Sequence, residues 1–326
     1  MAWILLKDVE QSLCFRESTK YFHFSVPSKE LWNKFYDTET IDTFVNTSRE
    51  VKENDSVLVD HVCFQNYKSS VIQISSSINT KVLISTSSFY KCSTLNDNAC
   101  IQISETGSCV QYKVSNYEST THSNIKSINV RNFKNFVIQS TFTQSAGWMS
   151  VLQHKNGEIL LSSINISNSN YELNAAFSIF EPFINSMTNY SNFNNISSQR
   201  QCCFWYDYGN HYFNSNNVIN NSVLRDPGIF CCISSDLTVN NSFFKGNIAT
   251  ILFLKAHNSK VGTVDKSFFE SDNTFTLNGN IINIVEMEKI NLSNLYYSFL
   301  CELPTKAMKI SPTEFLSITR YFYRRH

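Results

Sequence analysis

The stretch Ser242-Phe243-Phe244-Lys245-Gly246-Asn247 returns one period later as Ser267-Phe268-Phe269-Glu270-Ser271-Asp272, and Ser88-Phe89-Tyr90-Lys91-Cys92 is a distant third copy. Read outward as an aromatic or β-branched anchor in a Ser/Asn setting, the unit recurs at Phe64, Phe89, Tyr117, Phe142, Tyr171, Phe193, Val218, Phe244, Phe269 and Tyr296. The intervals scatter narrowly around a mean of about 26 residues, and a fixed period of this size marks a solenoid. A short polar residue follows three places after several anchors, as at Cys92, Ser145, Asn174, Asn221, Asn247 and Asp272; after Phe193 that place holds Ile196.

Ahead of the anchors apolar residues alternate, as in Leu237 and Val239, Ile290 and Leu292, or Val82 and Ile84, which is the period of a strand with one buried face. Past a polar turn a second apolar run begins with a small residue, as in Ala146-Gly147-Trp148-Met149, Ala175-Ala176-Phe177, Gly228-Ile229-Phe230 and Gly279-Asn280-Ile281-Ile282. Two or three strands per period with no helical segment predict an all-β fold, a single-stranded right-handed parallel β-helix solenoid of about ten coils of about 26 residues. A leucine-rich repeat would need recurring Leu, whereas this register shows Phe and Tyr; a sandwich or a propeller stays open as the alternative.

The composition finds a cause in that architecture. The 326 residues include 38 Asn and 45 Ser against 8 Gly and 5 Pro. Ser and Asn side chains bond neighbouring backbone groups in tight bends, and Asn tolerates a left-handed backbone. Asn can also stack into amide ladders between rungs. Eight N-x-S triplets, at Asn46, Asn54, Asn165, Asn189, Asn195, Asn220, Asn240 and Asn291, match the number that chance gives at this composition. The 27 basic and 27 acidic residues balance, which argues against a nucleic-acid partner, because phosphate neutralisation needs a basic face. No apolar run approaches the roughly 20 residues of a bilayer span, so no membrane span is expected, and Ala2–Leu6 is too short a run for a signal peptide. Ten cysteines without CxxC or Cys/His spacing read mostly as buried free thiols.

The ends differ from the middle. Residues 1–70 hold 19 of the 54 charged side chains and residues 71–300 only 28. Residues 1–55 are read as an N-terminal cap region, 56–303 as the β-helix and 304–326 as a C-terminal tail. Within the cap, Leu31, Trp32, Phe35 and Tyr36 after Pro27-Ser28 predict one amphipathic helix over the open end of the solenoid. In the tail, Ser311-Pro312-Thr313-Glu314 is a capping box. It is followed by Phe315, Leu316, Thr319 and Phe322 on one face, with Arg320, Arg324 and Arg325 beyond, which predicts a second capping helix.

The SFFKGN and SFFESD units, with the strand starts NAAF (174–177) and NIATILF (247–253), resemble the degenerate repeats of bacterial polymorphic outer-membrane proteins. More closely, the Asn/Ser/Phe-rich chain, with KNFVIQSTFTQS (134–145) as one coil, resembles the uncharacterised β-helix proteins of trichomonad protists over residues 56–303. The resemblance implies a pectin-lyase-like fold, exposure at a cell surface or secretion, and adhesion to a protein or glycan of a host or neighbouring cell.

Many β-helices are polysaccharide lyases or hydrolases, whose chemistry needs paired carboxylates and a cation. Residues 71–300 contain 14 acids. Asp207, Asp236 and Asp265 recur at equal spacing, but each falls at a later place after its anchor than the one before, so they drift around the coil. Asp265, Glu270 and Asp272 form the densest group and are the metal or catalytic candidates, weighed against a solvated turn. Arg225-Asp226 before Pro227-Gly228 reads as a turn, and the seven His are dispersed. No catalytic residue and no cofactor is assigned. The expectation is a non-enzymatic solenoid presenting exposed aromatics in a row to a protein or glycan partner; the alternative is a divergent carbohydrate-active β-helix.

Overall fold

The computed structural model describes residues 28–292, apart from short stretches at 37–40, 54–55, 76–78, 95–96, 106, 129, 131–133, 226–227 and 257–261. Its 28 strands form one continuous sheet, and each strand pairs in parallel with strands one coil away. Among the described residues, the regular structure apart from the helix α1, Ser28–Phe35, is β. Three ladders of strands run the length of this β-solenoid.

On the anchor ladder the register aligns Phe64, Phe89, Asn116, Phe142, Ile166, Phe193, Val218, Phe244 and Phe269. The steps between these nine positions make about eight turns rather than the expected ten. Seven of the ten sequence anchors hold their places. Tyr117 lies one residue past the interior position, with its ring 6.3 Å from that of Tyr90. Tyr171 belongs to the next stretch of the coil, where it pairs with Gly147 and Ser198. Tyr296 and the predicted tail helix at 311–322 lie outside the described residues.

A second ladder stacks Ile72, Ile101, Ile125, Leu152, Phe177, Phe204, Phe230 and Phe253, all buried. Aliphatic side chains fill the early coils and phenylalanines the late ones. The Phe177–Phe204 and Phe204–Phe230 centroids are 5.0 and 5.1 Å apart, close to the rung spacing of a parallel sheet. The third ladder forms a flank. Its inward residues join the core, and its outward position, six residues before the anchor, runs Leu58, Leu83, Val110, Phe136, Leu160, Met187, Tyr212, Thr238 and Thr263.

The corners are what a chain rich in Ser and Asn builds. Three residues before the anchor, His61, Thr86, Lys113, Gln139, Ser163, Tyr190, Ser215, Asn241 and Lys266 all have φ between 45° and 57°. Two residues after it, Asn66, Lys91, Glu118, Gln144, Asn168, Asn195, Asn220 and Gly246 have φ between 50° and 61°. This conformation costs a side-chain-bearing residue about 1–2 kcal/mol and costs Asn least, and Asn holds four of those eight later places.

Each bend leaves a backbone N–H just inside the corner that strand pairing does not serve, and a buried N–H needs an acceptor. The residue in the next coil supplies it. Val114 N donates to Ser140 Oγ at 3.0 Å, Ile164 N to Ser191 Oγ at 3.2 Å, Ser191 N to Asn216 Oδ1 at 2.9 Å, Asn216 N to Ser242 Oγ at 3.2 Å and Ser242 N to Ser267 Oγ at 3.1 Å. The serine hydroxyls in turn donate to carbonyls two residues back, as from Ser191 to Asn189 and from Ser242 to Asn240. Two of the N-x-S triplets are thus this corner motif. At the other corner Ile196 N donates to Asn221 Oδ1, Asn221 N to Asn247 Oδ1 and Asn247 N to Asn273 Oδ1, at 2.9–3.1 Å. Amides also bridge Asn221 to Asn247 and Asn247 to Asn273. The expected Asn ladders are present, and they lie inside the solenoid.

Helix α1 forms as read from the sequence, but it lies on the flank and not over an end. Leu31, Trp32, Phe35 and Tyr36 pack against the outward Leu58, Leu83 and Val110. Tyr36 donates from its hydroxyl to Val82 O at 2.6 Å, and Lys134 Nζ donates to Phe35 O at 2.5 Å. Three coils of outward apolar side chains offer an amphipathic helix a continuous stripe, and each large side chain buried there contributes about 1.5–3 kcal/mol. Strands Thr43–Val45 and Val51–Glu53, which the sequence reading assigned to the cap region, already pair with the solenoid.

Candidate functional site

The carboxylates singled out from sequence are all engaged: Glu270 and Asp272 at one corner, against Lys245 and Gly246 of the coil before, and Asp265 at the other. Glu270 Oε2 lies 2.7 Å from Lys245 Nζ in the preceding coil, and that contact holds the lysine above its ordinary pKa. Asp272 Oδ1 accepts from Gly246 N at 2.8 Å, and Asp265 Oδ1 accepts from Asn283 Nδ2 at 2.7 Å beyond the opposite corner. Among the described residues no group of three or more His, Cys, Asp or Glu is placed to hold a metal ion. Asp207 pairs with Ile233, Asp236 with Asn210 and Asp265 with Asn240, so these three aspartates do not stack. Other acids make the same coil-to-coil contact as Glu270: Lys91–Glu118 at 3.5 Å, Lys155–Glu181 at 3.3 Å and Arg200–Glu172 at 2.5 Å. The sparse charges of the repeats tie neighbouring coils together.

Two polar pairs in the interior escaped the sequence reading. His211 sits at the same register as Ser186 in adjacent coils. Its Nε2 lies 2.9 Å from Tyr208 O, which can only accept, so Nδ1 accepts the Ser186 hydroxyl at 2.6 Å. That is the bond direction of an activated nucleophile. Ser186 and His211 are 0% and 1% exposed, however, so a substrate has no approach. Burial pushes the His211 pKa down to about 4. His154 is held in the opposite sense: Asn135 spends its Nδ2 on Ser127 O and Asn156 O, so Asn135 Oδ1 accepts from His154 Nδ1 at 2.7 Å. Burial takes that imidazole down to about 3. Both histidines are neutral members of the core. Their sequence signal was too small to find, since each partner lies in a neighbouring coil and only exact register brings the two side chains together.

The cysteines divide. Cys92, Cys100, Cys109, Cys202, Cys203, Cys231 and Cys232 are free and buried, in keeping with small core residues, and Cys63 is disulfide-bonded. Burial pushes the Cys203 and Cys232 thiols up to about 12, which keeps them protonated and inert.

The anchor and second-ladder aromatics line the interior, so the row of exposed aromatics expected on these strands is absent. Exposed apolar side chains gather instead on the flank beyond helix α1. Met187 and Tyr212, adjacent rungs of the stripe that the helix covers higher up, are 43% and 40% exposed. Around them, in the same two coils, are Phe183, Ile184, Tyr190 and Tyr208, each at least half exposed. The remaining large exposed aromatic in the mid-coils, Trp148, carries the Arg200 guanidinium 5.4 Å from its ring, and Glu172 holds that arginine. Its face is therefore already occupied. No helix among the described residues is long and apolar enough to cross a membrane. No family model, curated protein or solved structure matches the chain.

Proposed function

We propose that this protein is a non-enzymatic recognition solenoid whose flank binds an amphipathic helix of a protein partner over the Met187–Tyr212 patch. The observation that carries the reading is the flank stripe itself. Its upper rungs Leu58, Leu83 and Val110 already hold an amphipathic helix of this chain, while its lower rungs Met187 and Tyr212 present the same geometry uncovered. A helix laid across such a stripe uses apolar side chains three and four residues apart, as Leu31, Trp32, Phe35 and Tyr36 do. Exposed patches of this kind on a folded protein mark interaction sites. The buried Ser186–His211 pair and carboxylates already engaged by cations and N–H groups favour recognition over carbohydrate chemistry. Adhesion at a cell surface, which the repeat resemblance implies, belongs to this proposal, and the Cys63 disulfide supports an oxidising compartment. The right-handed winding usual for parallel crossovers belongs to it as well.

The test uses immobilised full-length protein, challenged in parallel with extract of its source cells and with a glycan array. A polypeptide retained by the wild type and lost by M187D/Y212D, with unchanged melting, supports the reading. Identical retention by both proteins, or retention of glycans alone, refutes it.

A further inference from the structure

We infer that Cys92 and Cys100 are a redox pair that closes into a disulfide inside the corner following the anchor Phe89. Both thiols are free, fully buried and part of the hydrophobic core. Cys92 stands three residues after its anchor, the corner place that Asn221 and Asn247 hold in later coils. Like those asparagines it serves an anchor carbonyl of the coil before. Its Sγ donates to Phe64 O at 3.6 Å, as Asn221 Nδ2 does to Phe193 O and Asn247 Nδ2 to Val218 O.

The backbone already brings the two cysteines to the same place. Ser93 N donates to Tyr67 O at 2.8 Å and Val71 N donates to Cys100 O at 2.9 Å, so the residues at both positions are tied to the same preceding coil. Between them, Thr94 Oγ1 donates to Asn98 O at 2.6 Å and draws the intervening loop together at its neck. Beneath that neck the two thiols are hydrogen-bonded to each other. The direction of the bond follows from its effect. It lowers the Cys92 pKa, whereas burial and the same bond hold the Cys100 thiol well above its ordinary value. Cys100 therefore donates to the Cys92 sulfur, which makes Cys92 the nucleophile and Cys100 the resolving thiol. Cys202 also bonds a second thiol, Cys231, but there burial dominates and raises the Cys202 pKa.

The oxidant is hydrogen peroxide, a reagent small enough for a buried corner. The Cys92 thiolate attacks one peroxide oxygen, the O–O bond breaks, and the hydroxide released takes up the proton that Cys92 lost and leaves as water. Cys100 sulfur then attacks the sulfenic sulfur of Cys92. The S–O bond breaks, and its hydroxide leaves as a second water with the Cys100 proton. Two thiols lose two electrons, and the peroxide is reduced to two waters. The bridge closes a loop of nine residues, Cys92 to Cys100. Loss of that loop's freedom in the unfolded chain lowers the unfolding constant by up to roughly 80-fold.

The test treats the full chain, freed of reductant, with hydrogen peroxide, unfolds it in an alkylating buffer and cuts it after lysine and before aspartate. These cuts separate Cys92–Asn96 from Asp97–Lys113, which also contains Cys109. One linked product of the two, with Cys109 alkylated and the link lost on reduction, is expected. Recovery of Cys92 and Cys100 both alkylated, or Cys92 joined to Cys109, overturns the pair. In Cys100→Ser a sulfenic acid at Cys92, trapped by dimedone, is expected in place of the bridge, and its absence overturns the role given to Cys92. Urea unfolding reads the staple: the midpoint of the wild type should rise on oxidation and fall back on reduction, and equal midpoints overturn it.

Discussion

Replacing Asn247 by alanine removes one link of the inner corner ladder, and the structure gives the cost. Asn247 is fully buried. Its Nδ2 donates to Val218 O and to Asn273 Oδ1, both at 2.8 Å, and its Oδ1 accepts from Asn221 N at 3.1 Å and Asn221 Nδ2 at 3.2 Å. Truncation leaves the Asn221 N–H and the Val218 carbonyl without these partners inside the solenoid. An orphaned buried group costs about 1–3 kcal/mol, and two of them together with the vacated volume give about 3–5 kcal/mol. Asn195→Ala is the control. Its exposed amide makes one bond, to Asn168 Oδ1 at 2.8 Å, and its φ of 53° makes alanine mildly strained, which costs about 1 kcal/mol. Asn247→Ser should fall between the two, since serine holds the equivalent place after Asn116, Phe142 and Ile166. Urea unfolding followed by far-ultraviolet circular dichroism reads all three. If Asn247→Ala loses no more than Asn195→Ala, the corner side chains do not satisfy the backbone and the reasoning fails.

Further expectations concern the core, the helix and pH. Asn116 holds an interior anchor place between Phe89 and Phe142 with neither amide atom hydrogen-bonded. Asn116→Val should therefore stabilise the fold by about 1–3 kcal/mol, and a lowered melting temperature would show that the amide is served. Phe204→Ala, amid Phe177, Phe193, Phe213 and Phe230, should cost about 3–5 kcal/mol by the same urea assay. Trp32→Ala should release helix α1 and uncover Leu58, Leu83 and Val110, read as increased binding of an apolar dye; unchanged dye binding would place the helix's hold elsewhere. Because burial holds His154 near 3 and His211 near 4, the unfolded chain binds more protons below its histidine pKa of about 6.5. The stability of the neutral forms is complete above that value and drains away as pH falls, by about 2 kcal/mol per histidine at pH 5. His154→Gln should flatten part of that slope, and a wild-type stability constant from pH 7 to 5 would contradict the burial.

The period was legible because a solenoid repeats its environments. Phe64, Phe89, Phe142, Phe193, Val218, Phe244 and Phe269 meet the same interior once per coil, and the sequence shows it. Asn116 and Ile166 were hidden by larger neighbours: Tyr117 sits one residue past the interior place on its strand, and Tyr171, itself buried in the core, belongs to the next stretch of the coil, so residue size was a poor guide to the anchor register. Those two displacements leave the number of coils unchanged: nine aligned positions make about eight turns among the described residues, and the tenth sequence anchor, Tyr296, lies outside them. The abundance of Ser and Asn was traced correctly to the bends, whereas the N-x-S triplets hid a second cause, the hydroxyl at Ser191 or Ser242 that serves a carbonyl two residues back. Helix α1 was readable from Leu31, Trp32, Phe35 and Tyr36. Its seat was not, because the outward stripe of Leu58, Leu83 and Val110 exists only once three coils stack. The Met187–Tyr212 patch was invisible for the same reason: a whole coil of chain separates two side chains that the register makes neighbours.

The central claim is that Ser and Asn side chains of one coil serve the corner amides of the coil before it. Residue-resolved hydrogen exchange of the native protein tests it most directly. The amides of Ile164, Ser191, Asn216, Asn221 and Ser242 should exchange as slowly as those of the core strand residues Phe204 and Phe230. Exchange at those corners as fast as in exposed turns would contradict it.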